Sequence, residues 1–210
     1  MLKSTVIIVT MVRQTLVRAI QSALNENFPV IVVGDGVDVP DWIQNKFKSE
    51  DVVFNRTGVR YGCYGAVAGN LAMALAKTEF CTSLGDDDEF IENKGKILLD
   101  KIDLNPEIDI WIPNVLFADG KEWYQNKECF LLRQGTPLPT VRTSIIRYCT
   151  FSHPPHEKLF HSMDYMMIEK AVNVYNYKVD WIKEPIYKLR GSLKGESGQA
   201  NFSQLEFKMV

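Results

Sequence analysis

The chain has 210 residues, 46% of them apolar, and a formal net charge of −2 at pH 7, which fits one domain with a substantial core. Its basic residues are scattered and never interleaved with aromatics, which excludes a nucleic-acid-binding surface and points to a small-molecule partner. The apolar runs are too short for a signal core or a membrane span, and Cys63, Cys81, Cys129 and Cys149 form no CxxC pair, so the expectation is a reduced, cytoplasmic protein without an integral membrane segment.

Val6–Val9 is a continuous β-branched run, the pattern of a strand buried on both faces. From Arg13 to Asn25, Leu16, Ile20, Ala23 and Leu24 recur at helical spacing, and Pro29 closes that helix. Val30–Val33 is a second buried strand ending at Gly34-Asp35-Gly36. Asp38-Val39-Pro40 reads as a helix start with proline near its first position, and Val52–Phe54 as a third short strand. Between Gly65 and Lys77 small residues dominate, and Ala68, Leu71, Ala72, Leu75 and Ala76 make a helical face able to pack closely on a sheet. Phe80–Leu84 is a fourth apolar strand, broken by Gly85 and followed at once by Asp86-Asp87-Asp88-Glu89. This alternation predicts an α/β fold: a Rossmann-like, mainly parallel, doubly wound sheet with right-handed crossovers.

After residue 90 the rhythm changes. Ile108–Pro113 and Val115–Phe117 read as strands, with Ala118-Asp119-Gly120-Lys121 as a hairpin turn. Cys129–Leu132 and Val141–Ile146 are further strand candidates. His161–Tyr177 reads as a helix whose Met163, Met167, Ala171 and Val174 form a core-facing stripe, and Val179–Ile182 and Ile186–Leu189 are late short strands. The expectation is a single domain with a nucleotide-binding half over residues 1–90 and a smaller mixed β/α half over residues 91–190. Residues 191–210, rich in Gly and Ser at their start, are expected to form a mobile tail.

The acidic cluster emerges where a buried strand ends, the edge at which open α/β sheets bind ligands. Adjacent carboxylates raise one another's pKa unless a cation is shared. Hard oxygens on a short loop suit Mg²⁺ or Mn²⁺, which take one or two carboxylates plus substrate phosphate oxygens. The alternative is a solvated acidic turn, and the placement after a buried strand argues against it. A dinucleotide fingerprint is missing: the first turn, Thr10-Met11-Val12-Arg13, has no glycine, and Gly34-Asp35-Gly36 has no third glycine in register. No GxxxxGK[ST], GxSxG or HExxH occurs.

Asp35 at one strand end, the Arg60–Gly65 loop and Asp86–Asp88 at another strand end form a constellation that resembles the family 2 glycosyltransferases of the GT-A fold. The resemblance extends through Arg18–Leu24, Gly69-Asn70 with Ala76, Met163-Asp164-Tyr165 and Glu184–Arg190. It implies a metal-dependent enzyme that moves a sugar from a nucleotide-sugar donor, a UDP-sugar, to an acceptor hydroxyl with inversion. By that likeness the first-strand loop, with Thr10 and Arg13, and the acid Asp35 hold the nucleotide. Asp86 and Asp87 face the donor, Asp86 bonding the ribose or assisting the metal, and Asp88 binds the metal, Mn²⁺ or Mg²⁺. Asp164 is the implied general base, a carboxylate near the acceptor hydroxyl. The family's acidic pair is here Met163-Asp164, and its Arg-Asn pair is Gly69-Asn70, which draws attention to Arg60 as a cation near the diphosphate or as a solvated loop residue. His153 or His156 is a candidate third metal ligand. Arg190, Ser192 or Lys194 is a candidate diphosphate contact from a segment folding over the donor. A nucleotidyl- or phosphotransferase lacks its glycine-rich loop and lysine after the first strand; a non-catalytic sugar-nucleotide module would explain Met163. The acceptor and the sugar are not readable from these residues.

Overall fold

β-Branched runs and amphipathic segments alternate through the first half of the chain, and the runs become strands, covered on both faces except for the half-exposed edge strand at Val52–Arg56. The computed structural model describes residues 3–48, 50–62, 65–123, 138–147, 149–150 and 163–190, with the backbone alone for 123 and 163–166. The elements are β1 (Ser4–Thr10), α1 (Leu16–Asn25), β2 (Val30–Gly34), α2 (Asp41–Lys46), β3 (Val52–Arg56), α3 (Ala66–Leu75), β4 (Phe80–Gly85), β5 (Glu89–Phe90) and α4 (Gly95–Leu104). They continue with β6 (Ile110–Phe117), β7 (Glu122–Trp123), β8 (Thr140–Arg142), a 3-10 turn (Thr143–Arg147), α5 (Met163–Tyr175) and β9 (Val179–Leu189).

Among the described residues these strands form one mixed sheet in the order β3-β2-β1-β4-β8-β6-β9-β5, with β7 paired to β6. The first four strands are parallel, in the expected doubly wound arrangement. β8 then runs antiparallel to both β4 and β6, β9 returns parallel to β6, and β5 lies antiparallel to β9. Alternate side chains of β1, β2 and β4 enter opposite cores. Val6, Ile8, Val30, Val32, Phe80 and Leu84 meet α1, α2 and α4 through Leu16, Ile20, Ile43, Leu98 and Ile102. Ile7, Ile31, Val33 and Cys81 meet α3 and α5 through Ala68, Ala72, Met73, Met167 and Ala171.

Several boundaries differ from the sequence expectation. β6 and β9 are each continuous, where two short strands were predicted in each place; their pairing shifts register around Pro113 and Asn114, and the irregularity carries β9 through Pro185 without ending it. The strand predicted over Val141–Ile146 stops at Arg142, because Thr143 N–H and Oγ1 turn back to the carbonyls of Glu79 and Thr78. On α5, Met167, Ile168 and Ala171 are buried while Val174 is exposed. Helix α4 was not foreseen at all. Its first turn is capped from afar: Glu26 Oε1 and Oε2 accept the N–H groups of Asn93 and Gly95 at 2.6 and 2.8 Å. Cys81 and Cys149 are buried free thiols; the Cys129–Leu132 strand, Cys63 and the 191–210 tail lie outside the described residues. Among the described residues no helix is long and apolar enough to cross a membrane.

Candidate active site

Parallel strands deliver their C-terminal ends to one edge of the sheet, and here β1, β2 and β4 bring three loops together. Thr10, the last residue of β1, is buried. Its hydroxyl donates to Asp86 Oδ2 at 2.7 Å and accepts the Val12 N–H at 2.7 Å. Val12 has φ +63°, a left-handed conformation that a β-branched residue rarely adopts and that costs roughly 1–3 kcal/mol. This turn delivers Arg13, whose Nη1 lies 2.7 Å from Asp86 Oδ1 and 2.8 Å from Asp87 Oδ2.

The acidic turn itself closes through Asp88 N–H to the Gly85 carbonyl at 3.1 Å. The carboxylates fold back over the strand end, so that a Cβ on Gly85 would lie 2.4 Å from Asp88 Oδ2 and 3.0 Å from Asp87 Oδ1. Glycine is the residue that leaves them this room. Burial pushes the Asp86 carboxyl above the ordinary 3.8, while the Thr10 hydroxyl and the Arg13 guanidinium pull it back. Asp88 Oδ1 accepts the backbone N–H of Arg190 at 3.0 Å. Glu89 sits between two guanidiniums, 3.3 Å from Arg18 Nε and 2.6 Å from Arg190 Nε. Arg18 Nη2 also donates to the Asp87 carbonyl at 3.2 Å.

The β2 end supplies Asp35, only 3% exposed. Its backbone N–H donates to the Thr10 carbonyl at 3.0 Å, tying the two strand ends together. Its carboxylate accepts Tyr61 N–H at 2.9 Å on Oδ1 and Gly62 N–H at 2.8 Å on Oδ2. Asp35 is therefore the anchor of the 57–62 loop. Buried Thr57 reinforces it: the hydroxyl accepts Gly36 N–H at 2.8 Å and donates to the Val59 carbonyl at 2.8 Å. Gly36 has φ +70°, and a Cβ there would lie 2.1 Å from Arg60 N, so the loop crosses glycine at backbone contact.

Of the residues singled out from the sequence, Thr10, Arg13, Asp86 and Asp87 meet directly, Asp35 joins them through the Thr10 carbonyl, and Asp88 is held by Arg190. The Arg190 guanidinium is paired with Glu89, and the Arg60 side chain is exposed on the 57–62 loop. Asp164 is in the first turn of α5, its side chain outside the described residues, as are His153, His156, Ser192 and Lys194. Among the described residues no three His, Cys, Asp or Glu side chains converge as a metal cage. Sequence reasoning gave no role to Arg18, Thr57 or Glu89. The local signals were slight: a lone hydroxyl just past β3, and opposite charges that meet only across the fold.

The family model described as Glycosyl transferase family 2 matches residues 4–164. Solved structures of S. aureus TarS share the fold. TarS 1-349 superposes with a TM-score of 0.72 at 18% identity, covering 90% of this chain and 60% of that one. Its complex with UDP-GlcNAc gives 0.73 at 18% identity over 94% and 61%, and its complex with UDP gives 0.69 at 18% over 90% and 61%. The chain thus spans about three fifths of the length of TarS 1-349. No curated protein sequence matches it.

Proposed function

The chain belongs to glycosyl transferase family 2, and on that premise we propose that it moves a sugar from a UDP-sugar to an acceptor hydroxyl, with a divalent cation and with inversion. The observation that carries the reading is the meeting of Thr10, Arg13 and the Asp86–Asp88 turn at the ends of β1 and β4, with Asp35 beside them. The TarS structures in complex with UDP-GlcNAc and UDP support uridine as the donor's nucleoside.

The donor set suits Mn²⁺ or Mg²⁺. Asp86 and Asp88 offer hard carboxylate oxygens on one short turn, Gly85 leaves room for them, and these ions need only one or two carboxylates when substrate phosphates complete the shell. Held by Asp88 with Asp86, the cation would neutralise charge that builds on the departing diphosphate. The protein's own groups do the rest. Thr10 and Asp35 line the floor for the nucleoside, with Asp35 already oriented by two loop N–H groups. Asp164, at the start of α5, serves as the base that takes the acceptor proton during attack on the anomeric carbon.

Titration calorimetry with UDP, with and without Mn²⁺, tests this. Metal-dependent UDP binding that is lost in Asp88→Ala is expected. Binding that ignores both the metal and that substitution would overturn the proposal.

A further inference from the structure

The guanidinium of Arg13 already engages two carboxylates of the acidic turn. One nitrogen, Nη1, reaches carboxylates of two different residues at 2.7 and 2.8 Å. With the Thr10 hydroxyl on Oδ2, both oxygens of Asp86 are engaged inside the protein. The arrangement is built, not incidental: the Arg13 side chain is 29% exposed, and the left-handed Val12 turn delivers it.

We infer that Arg13 is an internal counter-ion that holds the acidic turn in the ligand-free protein and is drawn off by the donor's diphosphate, so that cation and nucleotide enter as a unit. The inference rests on the cation reading above and adds the order of events. A divalent ion approaching Asp86 while Arg13 is paired there meets a like charge a few ångströms away, in a partly buried site where screening is weak. A diphosphate offers the guanidinium a replacement, since phosphate oxygens match its fork of donors. Arg18 and Arg190 differ in this respect, because Glu89 pairs with both and neither guanidinium contacts the Asp86 carboxylate. By linkage, nucleotide that removes Arg13 raises metal affinity, and metal raises nucleotide affinity by the same factor.

Mn²⁺ binding, followed by electron paramagnetic resonance of free Mn²⁺, reads this without turnover. Wild type, Arg13→Gln, Arg13→Lys and Arg18→Gln are titrated with Mn²⁺ alone and with UDP. R13Q is expected to bind Mn²⁺ alone about tenfold more tightly than wild type, and the enhancement by UDP is expected to shrink correspondingly. R13K keeps the charge and should hold Mn²⁺ affinity without nucleotide near wild type, while its smaller UDP enhancement reflects the lost fork of donors. R18Q changes affinity less than about threefold, which separates a bridging role from a general loss of positive charge. Thermal unfolding in EDTA and after Mn²⁺ addition gives a second reading, with a larger Mn²⁺-induced rise in Tm for R13Q. If R13Q and wild type bind Mn²⁺ alike while UDP still promotes binding, the Arg13 inference falls and metal-dependent transfer stands. If none of the four proteins binds Mn²⁺ under any condition, both fall together.

Discussion

Arg190 donates its backbone N–H to Asp88 Oδ1 at 3.0 Å, from a position 102 residues further along the chain. The side chain of the same residue closes on Glu89, 2.6 Å from Nε. The end of β9 is thereby fastened twice to the acidic turn, once by backbone and once by charge. The side-chain fastening has a third member, since Glu89 also pairs with Arg18 of α1 at 3.3 Å.

Glu89→Gln tests that fastening. Both arginines are near 40% exposed, so the lost pairs should cost only about 1 kcal/mol of stability. UDP affinity in the presence of Mn²⁺ should fall more noticeably, by about three- to tenfold, because Asp88 loses the register that Arg190 gives it. A calorimetric titration beside a thermal melt compares the two effects. A fall in stability with unchanged Mn²⁺-dependent affinity would show that Glu89 merely braces the sheet edge.

Thr57→Val is expected to loosen the 57–62 loop. The methyl keeps the volume but removes the acceptor for Gly36 N–H and the donor to the Val59 carbonyl. Both bonds are only part-buried and Gly36 N–H keeps the Gly34 carbonyl at 3.1 Å, so the loss should be about 1 kcal/mol. Thr57→Ser restores the hydroxyl and should recover most of the loss. Denaturation curves for the three proteins decide it, and UDP binding should follow the same order.

A buried hydroxyl chain crosses the middle of the sheet: Ser4 Oγ and Thr82 Oγ1 share a hydrogen bond of 2.8 Å, and Thr82 and Thr140 share one of 2.9 Å. Thr82→Val breaks both at once and strands two hydroxyls, so about 1–3 kcal/mol should be lost. Urea unfolding should show a lower midpoint with an unchanged slope. A midpoint equal to wild type would mean that the chain of hydroxyls contributes nothing net.

Cys81 gives a pH dependence with a definite sign. Burial pushes its thiol from 9.0 up to about 11, against a weaker opposing pull from the Thr143 hydroxyl. The folded protein therefore keeps a proton that the unfolded chain releases above pH 9. Stability supported by the neutral thiol is complete below pH 9 and declines as pH rises toward 11, by up to about 1.4 kcal/mol per unit. Denaturation at pH 8, 9 and 10 should show this slope in wild type and a shallower one in Cys81→Ala. Iodoacetamide at pH 8 should leave the native Cys81 peptide unmodified.

The first half of the fold was legible because β1, β2 and β4 are buried on both faces, so that Val6–Val9 and Val30–Val33 are unbroken apolar runs and Phe80–Leu84 is interrupted only by Thr82 and Ser83. Glycines at 34, 36 and 85 then punctuated the strand ends where the site forms. What stayed hidden depends on partners distant in sequence. Helix α4 takes its cap from Glu26, while its own N-cap position holds Lys94, which makes no side-chain cap. β8 ends where Thr143 turns back to the Glu79 and Thr78 carbonyls, and Arg142 beside it reaches Asp109 at 2.8 Å and pairs with Glu79, none of them near in the chain. The site shows the same division. Asp35 and the acidic turn were visible as residue types at strand ends, but that Asp35 holds a loop through two N–H groups, or that Arg13 bridges two carboxylates, is a property of the assembled loops.

The tie between Asp88 and Arg190 also bears on how the protein comes into being on the ribosome. The four parallel strands are all translated by residue 85 and can pair early, with Thr10 and Arg13 there to hold Asp86 and Asp87, yet the Asp88 carboxylate waits for the end of β9 before it is pinned. A nascent chain halted near residue 120 would carry a recognisable half-sheet with Asp86 and Asp87 already held and Asp88 still without its Arg190 partner, and donor capture should begin only once residue 190 has cleared the exit tunnel.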